Sequence, residues 1–227
     1  MRSRLCANLG LAAVVLATAA CVSLTRTPEA RFFVLESLVQ PPVAEQEPVG
    51  IVGVEAVRLP GHLARPQLVT WAGPNELRTD EFTRWAEPLD EGITRTLAEN
   101  LAGLLPDHQL VVRPWSGRVR TRCRVKVALR VFGLQQDGMV RMEGRYRLLP
   151  DEGALAYVLH PVSLSEGPLP VPAGDDALPD PGVEAMSRLL ESLSRQIAEA
   201  IRALPPDPDP VGPAVMEEET LASETIE

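Results

Sequence analysis

Lysine is almost missing from this chain. Of 22 basic residues in 227, 21 are arginine and only Lys126 is lysine. Aromatics make up 4% of the residues and there are only three histidines, His62, His108 and His160, far apart in sequence. No His-x-x-x-His or Cys-x-x-Cys pair occurs, so a zinc site has no sequence support. Gly-rich phosphate loops, a Walker pattern and a Gly-x-Ser-x-Gly elbow are also missing, which removes the common nucleotide and hydrolase signatures. No 20–50-residue period repeats, which excludes a solenoid. A net charge of −9 argues against a general nucleic-acid binder. Nothing in this inventory asks for a catalytic residue, a metal or a cofactor.

Cysteine is scarce too, and its placement is informative. Cys6 lies within an N-terminal segment in which Arg2 and Arg4 precede the apolar run Leu9–Ala17, followed by Thr18, Ala19 and Ala20 and then Cys21. A basic start, a short apolar stretch and small residues at the cut describe a secretory signal. The run is too short for a comfortable membrane span, which needs about 20 apolar residues. The cysteine at the cut predicts acylation of Cys21 and a mature chain anchored by lipid; the alternative is an ordinary signal peptide cut nearby, with Cys21 incidental. Cys123 is then the one remaining thiol, so no disulfide staples the exported domain. It alternates with Val125 and Val127 on a strand and reads as core.

Proline, in contrast, is abundant at 22 residues and marks the linkers. The expected organisation is a signal over 1–20, a tether over 21–30, a folded domain over 31–204 and an acidic tail over 205–227. The tail carries seven carboxylates and no basic residue, with too little apolar content to fold alone. Within the domain, strands are expected over 31–38 and 49–59, then a hairpin of 68–71 and 76–79 around Gly73-Pro74-Asn75. Leu89, Ile93, Leu97, Leu101 and Leu104 fall at helical spacing between Pro88 and Pro106. Gly92 and Gly103 weaken that helix by about 1 kcal/mol each relative to alanine. A short strand at 109–112 follows. Two long strands, 123–134 and 139–149, are joined at Asp137-Gly138, a strong hairpin dipeptide. Cys123, Val125, Val127, Leu129 and Val131 form one apolar face, matched by Val140, Met142, Gly144, Tyr146 and Leu148. One more strand is expected over 155–164. The last helix, 182–204, carries the stripe Met186, Leu190, Leu193, Ile197, Ile201 and Leu204, with Asp180-Pro181 at its start. This order predicts an α+β domain, one mostly antiparallel or mixed sheet with two amphipathic helices packed on one face.

The acidic cluster Asp80, Glu81, Glu87, Asp90 and Glu91 precedes and opens the first helix. Carboxylates are favoured there by the helix dipole, so capping explains them without catalysis. A weak alternative is a periplasmic hydrolase using Asp80, Glu81 or Glu87 with His62.

Four segments in fixed order carry a family resemblance. They are Leu59-Pro60-Gly61-His62-Leu63-Ala64-Arg65-Pro66-Gln67-Leu68-Val69, Arg84-Trp85-Ala86-Glu87-Pro88-Leu89, Leu97-Ala98-Glu99-Asn100-Leu101, and Arg113-Pro114-Trp115. Together they resemble the ABC-type transport auxiliary lipoprotein family, over about 31–204. The resemblance implies a periplasm-facing lipoprotein beside mammalian-cell-entry (MCE) domain proteins, which carry phospholipid between inner and outer membranes. The permease and ATPase are then separate chains, no nucleotide or other cofactor is expected here, and a homo-oligomer is plausible. An envelope assembly or adaptor lipoprotein acting alone is the other reading. Val22 after the anchor is not the aspartate that often retains lipoproteins at the inner membrane, which favours the outer one. The motif residues also have local roles: Pro60, Pro66 and Pro88 fix φ angles, Arg65 offers a planar fork, Trp85 covers the end of the first helix, and Glu87 caps its free amides. Leu59, Gln67 and Trp115 complete this scaffold set.

Charge is the last feature. Arg122, Arg124, Lys126 and Arg130 alternate with the apolar set on the first long strand, and Arg141, Arg145 and Arg147 do so on the second. Period-two alternation predicts all seven on the face away from the helices. A solvated sheet face is one reading; because like charges on neighbouring strands repel, the other is an anionic partner: lipid head groups, an acidic protein surface, or the chain's own tail.

Overall fold

The computed structural model describes residues 28–40, 48–114, 119–150, 158–169 and 180–205. The chain divides into Met1–Ala30 and Arg31–Glu227, and every element below belongs to the second unit. Cys21, Trp115 and the tail from 206 onward lie outside the described residues.

Among the described residues, eight strands and two helices follow one another as β1 (Arg31–Phe33), β2 (Ile51–Val54), β3 (Gln67–Trp71), β4 (Leu77–Trp85), α1 (Leu89–Leu104), β5 (Gln109–Val112), β6 (Cys123–Leu134), β7 (Val140–Pro150), β8 (Leu159–Glu166) and α2 (Asp180–Arg202). The fold class is α+β, but the strands form two sheets rather than the single one expected. Five strands lie in the order β5-β2-β6-β7-β8, and three more in the order β1-β4-β3. The reason is hydrogen-bond capacity. A strand has two edges, and β2 gives both to β5 and β6 in parallel register. The hairpin partner β4 runs on to Trp85 and takes up β1, also in parallel. Strand β2 is therefore interior to its sheet and buried at all four positions, as its unbroken apolar run requires.

Both helices pack against the five-stranded sheet and against each other. On α1, Leu89, Ile93, Leu97 and Leu101 are buried, and on α2 so are Met186, Leu190, Leu193, Ile197 and Ile201. They meet Cys123, Val125, Val127, Leu129, Tyr146 and Leu148 in one continuous core.

The two helical glycines that cost α1 propensity are there to let other groups in. A Cβ on Gly103 would stand 2.5 Å from the Gln40 carbonyl oxygen and 2.6 Å from a Val39 methyl, so the segment after β1 crosses the helix at that point. A Cβ on Gly92 would stand 3.1 Å from Glu87 Oε1.

The long hairpin departs from strict alternation at one place. Leu129 pairs with Gly144, but Val131 pairs with Glu143, so Arg130 is the extra residue of a β-bulge. Beyond it the faces exchange. Val131, expected in the core, is half-buried, while Phe132 is 1% exposed and packs inward with Leu134.

Cys123 is buried in this core, and burial pushes its thiol pKa up to about 12. The thiol therefore stays neutral and inert at pH 8. In the folded protein Cys123 should resist alkylation, and it should react fully once denaturant is added; rapid native-state labelling would show the site to be open. Because the unfolded thiol ionises near pH 8.5, this group also erodes stability as pH rises from there towards 12.

Candidate interaction surfaces

The first two of the four family-like segments, Leu59–Val69 and Arg84–Leu89, meet at one corner of the fold. After Leu59, the chain turns tightly, with Leu63 and Ala64 N–H groups donating to the Pro60 carbonyl at 2.9 and 3.2 Å. This seats Leu63 in the core and presents Ala64, Arg65 and Pro66 outward. The Trp85 N–H then donates to the Pro66 carbonyl at 2.7 Å, and Ala86 N–H donates to Phe33 at 2.9 Å. Trp85 is buried in the core, and the chain enters α1 directly after it. A cavity of about 380 Å³ opens at this junction, lined by Arg65, Pro66, Trp85, Glu87, Pro88 and Leu89 among others.

Glu87 does not cap α1. Pro88 occupies the N-cap position and no side chain closes the helix start. Instead Glu87 Oε1 accepts from Arg95 Nη2 at 2.7 Å and Nε at 3.2 Å. The carboxylate reaches past the first turn because Gly92 leaves the space. Arg95 also donates to the Leu35 carbonyl at 2.8 Å and to Glu99. Its guanidinium thereby ties the segment after β1, the corner and the helix together, and the Glu87 bond raises its pKa further. Both partners are about one-third exposed, so solvent discounts the pair. Arg95→Ala should lower unfolding free energy by about 1–2 kcal/mol in a denaturant titration; an unchanged midpoint would show the clasp to be idle.

Asp90 and Glu91 stand in the first turn of α1, as expected, while the other two acids are occupied elsewhere. Asp80 and Glu81 lie on β4, not at the helix start. Asp80 accepts from the Thr83 hydroxyl at 2.6 Å and the Phe82 N–H at 3.0 Å, which together hold its carboxyl below the usual range. Glu81 binds Gln67 and Arg84. His62 meets the edge of Trp71 at 6.1 Å between ring centres. The residues of the hydrolase alternative thus have separate neighbours, and among the described residues no three His, Cys, Asp or Glu side chains gather as for a metal.

The seven predicted basic residues do not form one bare stripe. Arg122 turns to the helix side, where it donates to the carbonyls of Leu204 at 3.3 Å and Pro205 at 3.4 Å and closes the end of α2. It also bonds His108 Nε2 at 2.9 Å, whose Nδ1 meets Asp107 at 2.9 Å. Arg124 and Lys126 converge on Glu55, which lies just past β2; Lys126 Nζ is 2.9 Å away and Arg124 Nη1 3.7 Å. Arg130 pairs with Glu143 and Arg141 with Asp137. Arg145 is exposed opposite Ala128 and Pro161, and Arg147 stands opposite Lys126. Six cations thus share the sheet's outer side with three carboxylates. Glu55 escaped the sequence reading because nothing local links it to residues about 70 positions later. Its only signal was a lone acid in an apolar strand.

Comparison with known proteins places the fold. A family described as ABC-type transport auxiliary lipoprotein component matches residues 33–198. A crystal structure titled only as an uncharacterized protein shares 21% identity, covers 77% of this chain and 99% of its own, and superposes with a TM-score of 0.61. The crystal structure of protein XCC0632 from Xanthomonas campestris, given as DUF330, shares 15% identity over 76% of this chain and 95% of its own, with a TM-score of 0.54. No curated protein matches the sequence.

Proposed function

The chain belongs to the ABC-type transport auxiliary lipoprotein family, and from that premise we propose that it is the lipid-anchored, non-catalytic subunit of an MCE-type transporter moving phospholipid between the bacterial membranes. The observation that carries this reading is the extent of the family match, which spans both sheets and nearly all of both helices. The polar side chains at the motif corner support it, because they hold the scaffold together: Glu87 and Arg95 bind each other, and Gln67 and Arg84 bind Glu81. In this reading the anchor is Cys21, the membrane is the outer one, and the partners are the MCE protein with its permease and ATPase. The outer side of the five-stranded sheet, with more cations than carboxylates, is the surface assigned to an anionic partner.

The test is purification from gently solubilised membranes. The MCE protein, permease and ATPase should come with this chain, and exchanging Arg145 and Arg147 for glutamine should weaken that recovery more at low salt than at high. Recovery of the chain alone, with phospholipid distribution unchanged in a deletion strain, would reject the transporter role and favour an adaptor working by itself.

A further inference from the structure

Eight large apolar side chains are exposed among the described residues, and three of them fall within seven positions: Phe32 at 63%, Val34 at 45% and Leu38 at 44%. Phe32 and Val34 are two apart, so an extended chain turns them to one side. The alternate residues turn inward, with Phe33 packed against the core and Leu35 only 2% exposed. Strand β1 is the outermost strand of its sheet, in the order β1-β4-β3. Its one partner is β4, with Phe32 opposite Arg84. An apolar cluster on an edge strand is a liability unless something covers it.

We propose that this patch rests in the surface of a lipid bilayer. The proposal rests on the reading that Cys21 carries the anchor. Ten residues then separate the acylated cysteine from Phe32, which caps the distance between them at about 40 Å of fully extended chain. The patch is therefore held at the membrane whether or not it binds strongly. Its size suits that role and not a stable protein interface. The exposed area of Phe32 and Val34 together is on the order of 200 Å², against roughly 800 Å² per partner in a specific complex. A tether turns such a weak contact into an intramolecular one. Its chemistry also fits: an aromatic and an aliphatic side chain side by side make an interfacial pair. The charges nearby are mixed, with Glu36 against Arg84, so the contact should not respond to salt. That separates it from any electrostatic binding by the other sheet.

The experiment uses full-length lipidated protein in phosphatidylethanolamine–phosphatidylglycerol vesicles, with a nitroxide on Phe32→Cys and a control on Val112→Cys. Buried Cys123 takes up no label in the folded protein. At position 32 the ratio of oxygen to nickel-chelate accessibility should rise about fivefold over its value without lipid, at low and high salt alike, while position 112 stays aqueous. Adding Val34→Asp should reverse at least half of that rise without releasing the protein from the vesicles. A water-like label at position 32 on protein that still sediments with vesicles would overturn the patch and leave the anchor standing. Spin–spin broadening at position 32 would overturn it in favour of a second copy. Protein that fails to sediment at all would overturn both readings.

Discussion

Gly144→Val is expected to cost about 3–5 kcal/mol of unfolding free energy and to lower Tm by about 10 °C or more. Gly144 lies opposite Leu129, where the bulge at Arg130 begins. A Cβ there would stand 2.3 Å from the Ala128 carbonyl oxygen and 2.8 Å from the Leu129 Cα. Both are backbone atoms of the adjacent strand, so no rotamer relieves the clash. The strands would have to part at the centre of the longest hairpin, whose inner face carries Tyr146, Met142 and Phe132 into the core. Against a total stability of 5–15 kcal/mol for an ordinary domain, that loss leaves little margin. Thermal unfolding by circular dichroism decides it, with Gly92→Ala as the contrast. At position 92 the neighbour is the far end of the Glu87 side chain at 3.1 Å, so the loss there is limited to that of the Glu87–Arg95 clasp. A valine variant at 144 that melts with the wild type would mean that the hairpin has slack.

The second large effect concerns location, not stability. Cys21→Ala should move nearly all of the protein from the membrane fraction to the soluble periplasm, or leave the signal uncut. Among the described residues no helix is long and apolar enough to cross a membrane. In the proposed reading, attachment is by acyl groups on Cys21, each buried methylene contributing about 0.8 kcal/mol. The patch at Phe32 is too small to hold the domain alone. Fractionation with metabolic acyl labelling is the measurement. Unchanged recovery in membranes, with no loss of label, would reject Cys21 as the anchor. The melting temperature of the variant domain should not change, which separates this result from misfolding.

The sequence by itself determined the elements. The 3.6-residue stripe between Pro88 and Pro106 became α1, the longer stripe became α2, and the alternating runs around Asp137-Gly138 became the β6–β7 hairpin. These follow from local rules: where apolar side chains must face, where proline removes a donor, and where Gly138, at a φ of 80°, turns the chain. The motif order was legible for the same reason, being a property of the chain and not of space.

Tertiary structure decided which strands share hydrogen bonds, and hence that there are two sheets. Strand β1 finds β4 about 50 residues later, and no periodicity encodes that pairing. It also decided the bulge at Arg130, because alternation reads the same on either side of an inserted residue until the partner strand supplies the register. That one residue put Phe132 into the core and Val131 towards the rim. The two helical glycines looked like defects because propensity counts only the helix itself; their use depends on Gln40 and Glu87 arriving from elsewhere. The basic face changed for the same reason. Arg122 was drawn to the open carbonyls at the end of α2, and Glu55 came in from β2 to meet Arg124 and Lys126. Charge acts through space, so a count along two strands could not include the acid that a third one brings.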